Sequence, residues 1–178
     1  MNVNTLKAVY FIGAGGIGMS ALVRYFLSKG KKVGGYDRTP SELTETLIKE
    51  GAAIHYEENV SLIPDDFLNP ETTLIVYTPA IPADHKELNY FREHGFEIQK
   101  RAQVLGMLTR TEKGLCVAGT HGKTTTSTMT AYLLDHSHVG LMPFWEEYQR
   151  IITQICCCPI KATLLLSKPM NSTVHSIG

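Results

Sequence analysis

Short apolar runs alternate with polar, helix-period stretches along the first two thirds of the chain. Ala8-Val9-Tyr10-Phe11-Ile12 is apolar without alternation, the pattern of a strand covered on both faces. Met19, Leu22, Val23, Phe26 and Leu27 then recur at helical spacing, which predicts a helix from Met19 to Ser28 with Gly30 as its stop. Lys32–Tyr36 reads as a second strand. Ser41–Glu50 reads as a helix with Ser41 as N-cap, Glu42 and Glu45 in its first turns and Gly51 beyond its end. Ala52–Tyr56 is a weaker strand pattern, with His55 expected at the strand end and not as a ligand. Thr73–Tyr77 is a strong strand. His85–His94 reads as a surface helix closed by Gly95, and Phe96–Gln99 as a short strand. Arg101–Thr109 is predicted helical with Leu105 and Leu108 inward. Glu112-Lys113-Gly114 is a polar turn and a candidate domain boundary. Gly114–Ala118 then starts a new strand, followed by a helix over Thr124–Leu134. Strands alternating with helices predict an α/β fold: a Rossmann-like parallel sheet in an N-terminal domain, then the start of a second domain.

Composition bounds this picture without changing it. A chain of 178 residues is long enough for one full domain and part of another. The formal net charge is zero, which supplies no electrostatic case for nucleic acid or a membrane surface. No apolar run approaches the roughly 20 residues that span a bilayer, so no membrane insertion is expected. The first residues lead straight into a strand pattern without signal-peptide shape, and the expected location is cytoplasmic. Cys116 lies in an apolar strand pattern and is read as core. Cys156-Cys157-Cys158 has neither metal-site spacing nor a disulfide framework.

Two loops carry the candidate chemistry. Gly13-Ala14-Gly15-Gly16-Ile17-Gly18 follows a strand and precedes a helix, the setting in which G-x-G-x-x-G lays a diphosphate on a helix N-terminus. Asp37 ends the next strand about 20 residues on, where an acid meets a ribose hydroxyl or a base edge. Thr78-Pro79-Ala80-Ile81-Pro82 forms a rigid loop at the carboxyl edge of the predicted sheet, the binding edge of open α/β folds. The second loop is Gly119-Thr120-His121-Gly122-Lys123-Thr124-Thr125-Thr126. Its glycines let several backbone N–H groups face one anion, Lys123 can reach β- and γ-phosphate oxygens, and the Thr124 hydroxyl is placed to ligate Mg²⁺. Val117 stands where the full G-x-x-x-x-G-K-[ST] pattern has its first glycine.

An NAD-dependent oxidoreductase would explain Gly13 to Gly18 and Asp37 but leaves Gly119 to Thr126 without a task. A non-catalytic nucleotide-binding module is a further alternative. An enzyme that activates one substrate with ATP while holding a nucleotide-linked one needs both loops. The motifs GAGGIGMS (Gly13–Ser20), Tyr36-Asp37, Tyr77–Pro82, Arg101 and AGTHGKTTT (Ala118–Thr126) resemble the Mur ligases of peptidoglycan synthesis, in particular the alanine-adding branch, along residues 8–140. The resemblance implies ATP-dependent joining of L-alanine to UDP-N-acetylmuramate through an acyl phosphate, with ATP and Mg²⁺ required. It implies that residues 1–111 hold UDP-N-acetylmuramate, using Gly13, Gly15, Gly16, Ile17, Gly18, Met19, Ser20, Asp37, Thr78, Pro79 and Ala80. Residues 112–140 would be the truncated start of a P-loop ATPase domain. There Gly119, Thr120, His121, Gly122, Lys123, Thr124 and Thr125 would bind ATP, Lys123 and Thr124 would be catalytic, and Thr124 would meet the metal. His121 is assigned no chemistry beyond shaping the turn.

After Gly140 the resemblance stops. The family continues with a CNAFLGG-like stretch and later an acidic EADEFD-like motif, whereas this chain reads Leu141-Met142-Pro143-Phe144-Trp145-Glu146-Glu147. Codons read one base out of phase restore the family order. Met142 into Pro143 forces Ala, Phe144 into Trp145 forces Leu, and Trp145 into Glu146 forces Gly. The cysteine run forces leucines, and Met170 into Asn171 forces Glu within a permitted A-D-E-F-D. Residues 141–178 are therefore expected to be an out-of-frame translation, and turnover by this chain is not expected. Phe144, Trp145, Tyr148, Ile151, Ile152 and Ile155 nevertheless have helical spacing.

Overall fold

The computed structural model describes residues 5–111, 114–135 and 162–166. They fall into two units, Met1–Met107 and Leu108–Gly178. In the first unit β1 (Ala8–Ile12), β2 (Lys32–Tyr36), β3 (Ala53–His55), β4 (Thr73–Tyr77) and β5 (Glu97–Lys100) form one sheet in the order β3-β2-β1-β4-β5. Every neighbouring pair is parallel. The helices α1 (Ile17–Ser28), α2 (Glu42–Lys49), α3 (Lys86–Glu93) and α4 (Arg101–Thr111) lie in the connections. This is the Rossmann-like α/β architecture the alternation predicts.

The central strand explains the arrangement. All five residues of β1 are buried, as a strand with helices on both faces requires. Phe11 faces α1 and meets Phe26, with ring centroids 6.2 Å apart. Ala8, Tyr10 and Ile12 face the other way, into a core with Ile75, Phe67, Leu88, Phe91 and Phe96. Two glycines in β2 allow close packing: a Cβ at Gly34 would lie 2.6 Å from the Phe67 ring, and one at Gly35 would collide with the Phe11 carbonyl.

Helix ends follow the sequence signals with small shifts. α1 begins two residues before the expected Met19, at Ile17, because Gly16 already holds the extended conformation of an N-cap. Ser41 caps α2 in a capping box with Thr44. His85, expected inside α3, is its N-cap, and its Nδ1 accepts from Leu88 N–H at 3.4 Å. In α4 the inward residues are Val104 and Leu108; Leu105, expected inward, is only half-buried. Two short 3₁₀ turns, Val60–Leu62 and Asp65–Phe67, had no sequence signal, and the second places Phe67 in the core.

In the second unit β6 (Gly114–Ala118) leads into a loop and then α5 (Lys123–Asp135). β6 pairs antiparallel with β7 (Ala162–Leu166), with Gly114 opposite Leu166 and Ala118 opposite Ala162. The expected helix over residues 144–155, the cysteine run and the restored acidic motif lie outside the described residues, as does the side chain of Cys116.

Candidate functional site

The sheet order reverses direction between β1 and β4, which creates a crevice at the carboxyl ends of those strands. The glycine loop leaves β1 there and the Thr78 loop leaves β4. A Cβ at Gly13 would sit 3.5 Å from both Thr78 Cγ2 and Ile81 Cδ1, so the two loops, some 65 residues apart in sequence, line one crevice. Gly13 has φ 90°, a conformation glycine takes without strain. The Gly13 and Ala14 amides donate to the Tyr36 carbonyl at 2.8 and 3.0 Å, which fixes the loop against the end of β2. The Thr78 hydroxyl accepts from Ala80 N–H at 3.3 Å and the Thr78 carbonyl from Ile81 N–H at 3.1 Å, folding that loop on itself.

Asp37 joins the same place. Its Oδ2 accepts from Gly15 N–H at 2.6 Å and its Oδ1 from Thr39 N–H at 3.1 Å. The Asp37 amide in turn donates to the His55 carbonyl at 3.1 Å. Gly15 fits only because it lacks a side chain: a Cβ there would lie 2.6 Å from Thr44 Cγ2 and 2.9 Å from Asp37 Oδ2. Asp37 thus braces the glycine loop, with lone pairs left for a hydroxyl.

The first turn of α1 divides the remaining candidates. The Gly16 carbonyl accepts from both Met19 N–H (2.7 Å) and Ser20 N–H (2.9 Å). Met19 and Ser20 have buried side chains, so their contribution is to seat the helix. Helix geometry leaves the amides of residues 17 and 18 without a preceding carbonyl of their own helix. The Ile17 side chain lies outside the described residues. A Cβ at Gly18 would collide with Arg101 Nη1, so the glycine admits a guanidinium against the first turn of α1. Backbone amides, a helix N-terminus and a guanidinium are groups that can attract an anion. Arg101 had no place among the candidate ligands. Its signal was its position immediately after β5, at the same carboxyl edge as the other loops.

Beneath the crevice lies a buried polar cluster that the sequence reading missed. Tyr10 Oη is 2.8 Å from Glu87 Oε2 and 2.6 Å from His55 Nε2. Glu87 Oε1 accepts from Asn59 N–H at 3.2 Å, and the Glu57 carbonyl accepts from His55 Nδ1–H at 2.9 Å. Glu87 is fully buried. Burial pushes its carboxyl up to about 7; donation from Tyr10 and Asn59 opposes this, and Glu58 adds to it. Burial lowers His55 and His85 below the ordinary histidine range and raises Tyr10. His55 ends β3 as expected, but it is a hydrogen-bonded member of this cluster. No periodicity or motif marks Tyr10, His55 and Glu87, which are brought together only by the fold.

The second loop, Gly119 to Thr126, leads from β6 into α5. Gly122 has φ 75°, and α5 opens at Lys123, with Thr126 N–H donating to the Gly122 carbonyl at 2.9 Å. Gly119, Thr120, His121, Gly122 and Thr125 are exposed. A Cβ at Gly122 would meet no described atom within 4 Å, so the cradle is open. The side chains of Lys123 and Thr124 lie outside the described residues. Among the described residues no three His, Cys, Asp or Glu side chains cluster to hold a metal. No described helix is long and apolar enough to cross a membrane.

Residues 8–113 match the family model described as Mur ligase family, catalytic domain. The chain belongs to the Mur ligase family. The UDP-N-acetylmuramate–L-alanine ligase of Phocaeicola vulgatus is 79% identical over 144 residues, and that of Parabacteroides distasonis 66% identical over the same length. Each alignment covers 81% of this chain and 31% of the relative, so the chain spans about a third of the length of the ligases it matches. Among solved structures, the UDP-N-acetylmuramate–alanine ligase of Thermotoga maritima superposes with a TM-score of 0.63 at 33% identity, covering 72% of this chain and 29% of that one. A murein peptide ligase from Psychrobacter arcticus, 20% identical with a TM-score of 0.63, shows the same fold. This Mur ligase chain thus carries the Rossmann-like unit and the strand, loop and helix that follow it.

Proposed function

We propose that residues 1–111 form the UDP-N-acetylmuramate site of an alanine-adding Mur ligase, and that residues 112–140 are the start of its ATP-binding domain. The observation that carries this reading is the convergence of the glycine loop, the Thr78 loop, Asp37 and Arg101 on one crevice of the first unit. The diphosphate would lie on the amides of residues 17 and 18, with the Arg101 guanidinium as counter-charge. The Asp37 carboxylate would receive a ribose hydroxyl, and Thr78, Pro79 and Ala80 would border the sugar side.

The open turn at Gly122 supports ATP phosphates in the second unit, with Lys123 as the cation on the β- and γ-phosphates. Thr124 would offer one hydroxyl to Mg²⁺, whose contribution when bound is to neutralise phosphate charge. In the whole ligase the muramyl carboxylate would take the γ-phosphoryl group and the amine of L-alanine would displace phosphate from the acyl phosphate. Positioning and charge neutralisation would supply most of the catalysis. Residues 141–178 are read as out-of-frame, and this chain by itself as binding-competent in its first unit without turnover. The reading also takes the protein to be cytoplasmic.

Isothermal titration with UDP-N-acetylmuramate, UDP and NADH tests the proposal on the full chain. Binding of UDP-N-acetylmuramate with little response to NADH is expected. Tight NADH binding with no response to the UDP ligand would replace the ligase reading with an oxidoreductase one.

A further inference from the structure

The Tyr10–His55–Glu87 cluster contains two short links, Glu87 to Tyr10 at 2.8 Å and Tyr10 to His55 at 2.6 Å. Each link needs one proton between its heavy atoms. The tyrosine hydroxyl has one. His55 Nδ1 faces the Glu57 carbonyl, which can only accept, so Nδ1 carries the imidazole proton and Nε2 is bare in the neutral ring. A second proton must therefore reside in the cluster, on the Glu87 carboxyl or on His55 Nε2. With Glu87 protonated at Oε2 the directions close without a gap. Asn59 N–H donates to Oε1, Oε2–H would donate to Tyr10 in place of the Tyr10-to-Glu87 donation of the ionised form, Tyr10 O–H would donate to His55 Nε2, and His55 Nδ1–H donates to the Glu57 carbonyl. His55 Nε2 and Glu87 Oε1 are 3.7 Å apart, so the alternative with the proton on His55 holds the same count.

The chain continues into the nucleotide crevice. The His55 carbonyl accepts from the Asp37 amide, and Asp37 accepts from the Gly15 amide at 2.6 Å. We propose that one proton held between Glu87, Tyr10 and His55 positions Asp37 and the glycine loop, making the cluster a pH-sensitive positioning device for the diphosphate site. Loss of that proton breaks one of the two links and frees the end of β3 on which the Asp37 amide rests. The groups facing the cluster are Tyr36 from β2, Glu57, Glu58 and Asn59 from the segment after β3, and His85 from the cap of α3. His85 packs its ring on Tyr36 with centroids 4.8 Å apart. None of them is placed to replace the missing proton in either link. The consequence for ligand rests on the UDP-substrate reading above; the positioning itself does not.

The test is NMR on the full chain from pH 5.5 to 8.5, following the Glu87 carboxyl, the His55 ring and the amides of Asp37 and Gly15. In the wild type the two amides are expected to titrate with the midpoint of the cluster. In Glu87→Gln, whose amide supplies the second donor permanently, they are expected to stay flat. Tyr10→Phe keeps the ring and removes both links, so its amides should also be flat, and it serves if the glutamine variant fails to fold. Flat Asp37 and Gly15 amides in the wild type, or a response in a folded variant that matches the wild type, would overturn the proposal. Affinity for UDP-N-acetylmuramate should fall at least about fivefold between pH 6 and 8.5 in the wild type, the low end of ordinary couplings, and not in Glu87→Gln. Titrating amides in a protein that binds no UDP ligand would keep the positioning device and discard the substrate reading. Wild-type binding that does not change with pH would discard the positioning device alone.

Discussion

At the scale of single residues the crevice rests on two positions where a side chain has no room. Gly15→Ala would drive a methyl into Thr44 and Asp37, so the brace between Asp37 and the loop must open. Overpacking of this kind costs about 1–3 kcal/mol, and a denaturant titration should show a loss in that range together with weakened UDP-N-acetylmuramate binding. Arg101→Met separates charge from packing, because the methionine keeps much of the stem. If the guanidinium meets the diphosphate, affinity should drop by about tenfold or more, the equivalent of one charge-assisted hydrogen bond, with little change in stability. Unchanged affinity would remove Arg101 from the site. The glycines were legible because a close backbone approach leaves a sequence signature. Arg101 was legible as a family match and by its place just after β5, but nothing in its neighbours says which loop its side chain reaches. Met19 and Ser20 matched the same motif, yet their side chains are buried, so a motif position does not reveal whether backbone or side chain acts.

Elements show why the strand and helix pattern could be read and the polar core could not. β1, β2 and β4 have the bounds expected from their apolar runs, because burial on both faces leaves few polar residues inside a strand. The Tyr10–His55 and Tyr10–Glu87 contacts join residues 45 and 77 positions apart, beyond any local pattern. Local signals also make local predictions. Ser41→Ala removes the acceptor for Thr44 N–H and half of the capping box, and should cost about 1 kcal/mol in a urea titration. The buried acid sets a pH dependence between elements. Glu87 is raised from 4.5 to about 7 in the fold, so its contribution to stability is complete below 4.5 and lost as pH rises through 7. His55 and His85 are lowered by burial, so their neutral forms favour folding above 6.5 and that benefit fades as pH falls. The Glu87 contribution should therefore fall as pH rises from about 4.5 through 7 and level off above it, against the opposite slope of the two histidines, and Glu87→Gln should remove that fall from the melting profile while leaving the histidine limb in place.

At the scale of the whole molecule the two units raise different expectations. The first has a five-stranded sheet with its own core, which is what an independently folding domain needs. Among the described residues the second offers the helix α5 and the two-stranded pairing of β6 with β7, and an isolated pair of strands is marginal in water. On α5, Met129, Tyr132 and Leu133 are more than half exposed, an apolar load that further sheet or helix would normally cover. The partner strand β7 does not by itself speak for a native tail. Ladder bonds join backbone groups, so a stretch such as Ala-Thr-Leu-Leu-Leu can pair with β6 whatever its origin. The codon arithmetic speaks more directly, because forced residues cannot be adjusted to suit a hypothesis, and they fall in the family's order after Gly140. Resequencing the coding DNA across codons 135–180 and beyond is the decisive measurement. One base restored near codon 141 should open a frame that encodes the acidic motif and continues to the length of the related ligases. The protein made from that frame should couple ATP hydrolysis to addition of L-alanine, and Lys123→Met should abolish this while leaving UDP-N-acetylmuramate binding in the first unit intact. If the DNA reads as translated and no such frame follows, residues 141–178 are a genuine tail. The ligase reading then contracts to a UDP-sugar-acid binding unit joined to an isolated phosphate loop.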